Sequence, residues 1–183
     1  MRMGRSEQTI RYWCQDETRL GLMTIHRRKI TNCGVKPIGI EQWQRDTYYL
    51  YGIVEPKTGD SFFYEFSHLD HICFEQFLKL VSEQFPDSLN IIQLDNSGAH
   101  TAGDITIPDN VLLVFQPPYS PELNPIERLW QYLKDDLAWM RYETLEALRL
   151  DVRDLLSHLC QKTIASLTGY WFILSALSVA GIN

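Results

Sequence analysis

The spacing of apolar residues changes along the chain, and it predicts strands in the first part and helices in the second. Residues 10–16, 47–56 and 60–67 are dense in β-branched and aromatic side chains, which is typical of strands. The first of these strands is predicted to end on Asp16. Only the turn residues 57–59 separate the second strand from the third, so these two are predicted to pair as an antiparallel hairpin.

Helical periodicity begins after residue 70. Apolar residues over 71–85 recur at the spacing of one helix face, which predicts an amphipathic helix. A short buried strand is predicted over 89–95, ending on Asp95, and another over 111–118, where two prolines stop it. Further helices are predicted over 124–137, 144–159 and 163–177.

This order of elements predicts an α/β fold. Three antiparallel strands precede β-α units in a mixed five-stranded sheet, with helices on both faces. At 183 residues the chain has the usual size of one domain. In such sheets functional residues gather at the carboxyl ends of strands. Asp16 and Asp95 both stand at predicted strand ends, so they are the first candidates for a functional site.

Composition narrows the class of protein. Hydrophobic residues make up 45% of the chain and charged residues 22%, as in a soluble globular protein. No apolar stretch approaches the ~18 residues of a membrane span. The cysteines lie far apart, which predicts reduced thiols in a cytoplasmic protein rather than a zinc site or disulfides. The formal net charge of −6 argues against a protein that coats nucleic acid non-specifically.

One segment is basic although the chain as a whole is acidic. Residues 19–37 contain no acid, and glycines and a proline interrupt them, which predicts a basic loop or hairpin insertion over 19–46. A solvated loop explains the basic residues as well as a functional role does. As a functional surface, the segment is the best candidate for binding the DNA backbone, because phosphate contacts come mainly from Arg and Lys. The candidate residues are Arg19, His26, Arg27, Arg28, Lys29 and Lys36.

A third acid, Glu127, has a structural explanation of its own. In Asn124-Pro125-Ile126-Glu127 the asparagine suits an N-cap and the glutamate suits the third position of a capping box. A capped helix start would also hold the carboxylate rigidly, so both roles stay open. Glu17 and Glu122 are the obvious competing assignments. Alternation along the first strand places Glu17 on the opposite side from Asp16.

The strings around these acids resemble a known family. Residues 118–130 read PYSPELNPIERLW, thirty-one residues separate Asp95 from Glu127, and Asp95-Asn96 is followed by His100. The chain resembles the catalytic domain of DDE transposases, in the bacterial insertion-sequence branch of the Tc/mariner superfamily. Residues 166–183 also look like the C-terminus of that family.

The resemblance implies a ribonuclease H-like fold and a two-metal site. Asp16 would bridge two Mg²⁺ ions, for which Mn²⁺ can substitute, and Asp95 and Glu127 would each hold one. The implied reaction is metal-dependent DNA strand cleavage by water, followed by strand transfer from the freed 3′-hydroxyl, without a covalent protein intermediate. His100 would orient a phosphate or a metal ligand, or it closes a turn. Asn96 would position the neighbouring carboxylate, or it caps that turn.

The implied partners are DNA, as transposon ends and target, and a second copy of the chain in a homodimer. No membrane and no small-molecule cofactor are expected, and the protein is expected in the cytoplasm, at the nucleoid when bound to DNA. Family transposases carry an upstream helix-turn-helix domain. Only 15 residues precede Asp16, so a single catalytic domain over 1–183 is expected without that domain, with C-terminal helices over 143–183.

Two alternatives stay open for the function. The chain could be an inactive or truncated transposase remnant that serves as a partner-binding module. It could also be another ribonuclease H-like nuclease, which would share the metals but differ in substrate.

Overall fold

A five-stranded mixed sheet in the order β3-β2-β1-β4-β5 forms the centre of the fold. The computed structural model describes residues 9–97, 105–118 and 120–182. β1 pairs antiparallel with β2 and parallel with β4, β2 pairs antiparallel with β3, and β4 pairs parallel with β5. The predicted sheet is therefore confirmed. Its strands are β1 (Thr9–Gly21), β2 (Thr47–Val54), β3 (Ser61–Phe66), β4 (Ser88–Leu94) and β5 (Val111–Phe115).

Helices cover both faces of this sheet, as predicted. Helix α1 packs on one face, and the later helices pack on the other. Within the described ranges, no helix is long and apolar enough to cross a membrane. The helices are α1 (His71–Gln84), α2 (Ile126–Asp136), α3 (Leu145–His158), α4 (Gln161–Thr168) and α5 (Trp171–Val179), with a 3₁₀ turn (Pro121–Leu123) before α2.

Two hydrophobic cores lie on opposite sides of the sheet, and β1 contributes to both. Trp13 belongs to the core under α1, whereas Cys14 and Leu20 belong to the core under α2. Successive residues of a strand point to opposite faces. Asp16 has the same parity as Cys14 and Leu20, and it therefore lies on the α2 side of the sheet.

The first strand is longer than predicted. β1 continues five residues past Asp16 to Gly21, because β2 pairs with it from Cys14 to Gly21 after β4 has ended. The predicted end at Asp16 is therefore wrong. Arg19 lies in β1, and the loop that joins β1 to β2 spans 22–46 rather than 19–46.

The predicted helix over 163–177 is also wrong, because two helices, α4 and α5, occupy this part of the chain. The backbone N–H of Gly169 donates to the Ala165 carbonyl at 2.8 Å and ends α4. A Cβ atom at Gly169 would stand only 2.6 Å from that oxygen, so the chain needs glycine at this close approach. Glycine at a helix end is a signal that the sequence does carry.

Candidate active site

Three acids from three elements of the fold line one pocket of about 320 Å³. Asp16 comes from β1, Asp95 directly follows β4, and Glu127 lies in the first turn of α2. The parallel register pairs Cys14 with Gln93, and two further residues along both strands bring Asp95 level with Asp16. The structure therefore brings together the three acids that the sequence singled out.

The carboxylate of Asp16 is held by a tryptophan of α2. The indole Nε1 of Trp130 donates to Oδ2 of Asp16 at 2.9 Å. The Trp130 side chain is fully buried and packs over Gly52, the β2 residue that pairs with Asp16. A Cβ atom at Gly52 would stand 2.6 Å from the Trp130 ring. The glycine therefore leaves room for the ring that orients Asp16.

The start of α2 is fixed to β1 by Asn124. Its side-chain Nδ2 donates to the Gln15 carbonyl at 2.7 Å, in a buried position next to Asp16. Pro125 takes the N-cap position of α2, without a side-chain capping bond. The predicted capping box with Glu127 therefore does not form: the Asn124 side chain is turned to the sheet through Nδ2, and its Oδ1, the atom that would cap the helix, is buried without a hydrogen-bond partner among the described residues. The position of Glu127 depends on that docking contact instead.

The turn that carries Asp95 is tied to the end of β5. Oδ1 of Asp95 accepts from the Ser97 backbone N–H at 2.9 Å, and Nδ2 of Asn96 donates to the Gln116 carbonyl at 2.6 Å. Of the two roles that the sequence left open for Asn96, the structure shows a contact that fixes the turn beside Asp95. His100, the other supporting residue named from the sequence, lies outside the described residues.

The three acids influence one another electrostatically. Burial, followed by repulsion from the Glu17 and Glu127 carboxylates, holds the pKa of Asp16 well above its usual range, and Asp95 adds to the effect. Burial and the nearby Asp95 carboxylate also raise the pKa of Glu127, although Lys134 acts in the opposite direction. The pocket therefore concentrates negative charge that its surroundings only partly compensate.

Sequence reasoning missed Lys134, a half-buried lysine on the pocket side of α2. Burial lowers the pKa of Lys134, whereas the negative charges of Glu127 and Asp16 raise it. The signal was present in the sequence, because Lys134 follows Glu127 by seven residues. Two turns of helix place residues at that spacing on one face.

The donor set of the pocket suits a hard divalent cation. Mg²⁺ prefers carboxylate oxygens and retains several waters, so one or two carboxylates per ion are enough. Asp16, Asp95 and Glu127 supply only oxygen ligands, and a cation would relieve the repulsion that raises the pKa values of Asp16 and Glu127. Among the described residues, no three His, Cys, Asp or Glu side chains already stand close enough to chelate one ion. Binding would therefore draw the carboxyl groups together.

The competing glutamates lie elsewhere. Nε2 of Gln15 donates to Glu17 at 2.7 Å, and this pair lies on the α1 side of β1, opposite Asp16. Glu122 is exposed on the 3₁₀ turn and lines the neighbouring groove rather than the pocket of the three acids. Neither glutamate is placed to replace Glu127.

The basic loop 22–46 is fastened to the end of α2 by Trp139. The Trp139 backbone N–H donates to the Ile25 carbonyl, and its indole donates to the Arg27 carbonyl, both at 3.1 Å. Its ring lies 4.2 Å from the Lys29 ammonium and 5.0 Å from the His26 ring. Trp139 adopts a φ of 65°, an uncommon conformation for a bulky residue, which these contacts stabilise.

The predicted DNA-binding residues occupy different positions. Arg27 forms an ion pair with Asp135 of α2. Arg19 lies on β1, at a position that strand alternation assigns to the α1 side of the sheet. His26 lies 3.7 Å from Glu41. Arg28, Lys29 and Lys36 are exposed on the loop. The loop therefore presents cationic side chains to solvent at the end of α2, but Arg19 does not belong to that group.

Comparison with known proteins agrees with this architecture. Residues 11–149 match the family described as DDE superfamily endonuclease. An uncharacterized protein of Sinorhizobium fredii, y4pE/y4sA, is 29% identical over 128 residues, which cover 69% of this chain and 90% of that protein. The family resemblance drawn from the sequence is confirmed.

Solved structures of Mos1 transposase share the fold. A paired-end complex with the left transposon end superimposes with a TM-score of 0.68 at 15% identity, over 90% of this chain and 53% of that chain. A paired-end complex with Mn gives 0.69 at 15% identity, over 86% and 51%. The chain thus spans about half the length of the Mos1 chains that it matches. The ribonuclease H-like fold implied by the sequence is confirmed.

The raised pKa of Asp16 predicts a pH-dependent stability that Asp16→Asn removes. Between the usual value of about 3.9 and the raised pKa, the folded protein binds more protons than the unfolded chain, so stability falls as pH rises. Asparagine stays neutral and still accepts the Trp130 hydrogen bond. With a chelator present, Asp16→Asn should be more stable than the wild type at pH 7, by about 1.4 kcal/mol per unit of pKa shift.

Urea denaturation from pH 4 to pH 8 measures this difference, which should vanish towards pH 4. The exposed Asp87, changed to Asn, is the matched control and should leave the pH profile unaltered. An Asp16→Asn protein that is destabilised equally at every pH would show that the Asp16 carboxyl group does not cause the loss of stability as pH rises.

Proposed function

The chain belongs to the DDE superfamily endonucleases, and we propose that it acts as the catalytic domain of a DNA transposase. The observation that carries the proposal is the convergence of Asp16, Asp95 and Glu127 from three elements on one pocket. The reaction would be cleavage of a DNA strand by water, followed by attack of the freed 3′-hydroxyl on target DNA. The complexes of Mos1 transposase with transposon ends support DNA as the substrate.

Each acid has a distinct place in this chemistry. Asp16, at the centre, would bridge two Mg²⁺ or Mn²⁺ ions, and Asp95 and Glu127 would hold one each. When bound, the ions supply activation of the attacking oxygen and stabilisation of the leaving oxygen at phosphorus. No side-chain nucleophile is needed.

Several side chains of the protein keep the acids in place for this reaction. Trp130 orients Asp16 through its indole N–H, and Asn124 fixes the start of the helix that carries Glu127. Asn96 holds the turn that carries Asp95. Lys134 places a cation beside the acids, where the DNA phosphate would approach. Rigid placement of this kind lowers the cost of organising the site during reaction.

The basic loop would contact the DNA backbone outside the pocket. Trp139 fixes this loop at the end of α2, the helix that also carries Glu127, so the loop and the pocket share one support. The loop also exposes large apolar side chains, which supports the proposal that the protein works as a homodimer. These side chains are Ile30, Val35, Ile38, Ile40 and Trp43.

Substitution of the two glutamates tests the assignment. Glu127→Gln preserves the shape of the side chain but replaces a carboxylate by a neutral amide, a poor magnesium ligand. Nicking of supercoiled plasmid in Mn²⁺ should fall by roughly 100-fold or more, because even outer partners of metal ligands contribute 10–100-fold. Glu122→Gln is the matched control and should leave nicking nearly intact.

Neither variant should unfold at a lower temperature than the wild type, because Glu127 does not cap its helix and the neutral amide also relieves the burial and repulsion that raise the pKa of Glu127. Loss of nicking in the Glu122→Gln protein, with retention in the Glu127→Gln protein, would overturn the assignment.

The salt dependence of DNA binding tests the loop. Phosphate contacts give a log–log slope of roughly −0.9 each, so a few contacts predict about −3 to −5 for duplex binding with calcium in place of magnesium. Changing Arg28 and Lys36 together to Ala should flatten the slope by about 2 units for every DNA sequence. Changing Lys57 and Lys79 to Ala removes the same charge from other surfaces and should leave the slope alone. An unchanged slope in the loop variant would place the DNA elsewhere.

A further inference from the structure

A second, larger cavity of about 970 Å³ opens beside the pocket of the three acids. We call it the α2 groove, because one wall is formed by Glu127, Arg128, Gln131 and Lys134 of that helix. The opposite wall is formed where α4 ends and α5 begins. Pro121 and Glu127 line both the groove and the pocket, so the two spaces adjoin. A polymer held at the pocket can therefore extend into the groove.

The α4–α5 wall presents three consecutive aromatic residues. Tyr170 and Phe172 lie with their ring centroids 5.5 Å apart, and Trp171 meets Phe172 edge to face at 6.3 Å. The Trp171 side chain nevertheless remains 78% exposed. An indole that leaves most of its surface in water at the rim of a cavity offers a flat stacking surface to a ligand.

Cationic side chains accompany these rings. Nε of Arg128 donates to the Tyr170 hydroxyl at 3.1 Å, and its guanidinium lies 5.5 Å from that ring. Among the described residues no carboxylate forms an ion pair with Arg128, so its guanidinium can contact a phosphate. Lys134 lies further along the same wall, whereas Arg27 is neutralised by Asp135. Two carboxylates also line the groove, Glu122 and Glu127, the second being shared with the catalytic pocket.

We propose that the α2 groove binds an unpaired DNA strand next to the reacting phosphate, with a base stacked on Trp171 and phosphates on Arg128 and Lys134. The inference rests on the proposed function and defines the form of its substrate. Aromatic rings interleaved with cations are the common means of binding single strands, because every base has a face that stacks. A duplex keeps its base faces stacked inside the helix and would leave the exposed indole unused.

The dimensions of the wall agree with a short unpaired stretch. From Glu127 to Lys134 the helix rises about 10 Å. A stacked strand advances about 3.4 Å per nucleotide, so this length accommodates about three nucleotides.

The test compares a duplex that carries a three-nucleotide 3′ overhang with the same duplex made blunt. The overhang contains 2-aminopurine, whose fluorescence is quenched by stacking, and calcium replaces magnesium so that no cleavage occurs. Trp171→Ala should weaken binding of the overhang duplex by about 10-fold or more and relieve the quenching, because a stacked base contributes about 1–3 kcal/mol. Trp171→Phe should retain most of both signals, and Arg128→Ala should weaken binding of the overhang.

Two controls make the result specific. Binding of the blunt duplex should stay within about two-fold in the Trp171 variants. Tyr132→Ala removes a partly exposed ring from α2 that does not line the groove, and it should change neither DNA. Because Trp171 is mostly exposed, the variant should melt at the temperature of the wild type.

Each other outcome overturns the inference in a recognisable way. If the wild type binds both DNAs but Trp171→Ala behaves like Tyr132→Ala, the groove does not hold the strand and the proposed function stands. If the wild type binds neither DNA, the proposed function fails and the inference fails with it. If Trp171→Ala turns a dimer into a monomer in light scattering without changing the quenching, the groove is a protein interface.

Discussion

The hydrogen bond between Trp130 and Asp16 joins helix α2 to the central strand of the sheet. Trp130 belongs to the helix that carries Glu127, and its indole N–H binds the carboxylate on the central strand. The ring can approach because Gly52 has no side chain, and Asn124 secures the start of the same helix by binding the Gln15 carbonyl. The relative position of Asp16 and Glu127 thus follows from packing and hydrogen bonding between α2 and the sheet.

That rigid frame holds charges that repel one another. Asp16 is half-buried beside other carboxylates, which is unfavourable unless the charge is neutralised or compensated. Lys134 supplies only part of the compensation, since its own burial lowers its pKa. Carboxylates gathered in one pocket at a cost to stability are best explained by the reversible binding of a divalent cation and a substrate phosphate there. In the proposed function, the fold provides the geometry and bound cations would provide the missing charge.

The sequence predicted the sheet and the three acids because both depend on local patterns. Strand composition marked β1 to β5, and the string around Glu127 identified the family. Contacts between distant segments were not predictable in this way. β1 extends beyond Asp16 because β2 pairs with it there, and Asn124 docks on Gln15 rather than capping its helix. The contacts of Trp139 with the basic loop likewise depend on the tertiary structure. Two features that were missed do have signals in the sequence: Lys134 follows Glu127 at helical spacing, and Gly169 is a glycine at a helix end.

The central claim is that Asp16, Asp95 and Glu127 form one divalent-metal site. A crystal structure of the protein soaked in Mn²⁺, with anomalous difference maps, tests it most directly. Two manganese peaks about 4 Å apart are expected in this pocket, with Asp16 in contact with both, and Asp95 and Glu127 each in contact with one. Manganese bound at other residues, or a pocket in which the Glu127 carboxylate stays away from every ion, would contradict the account.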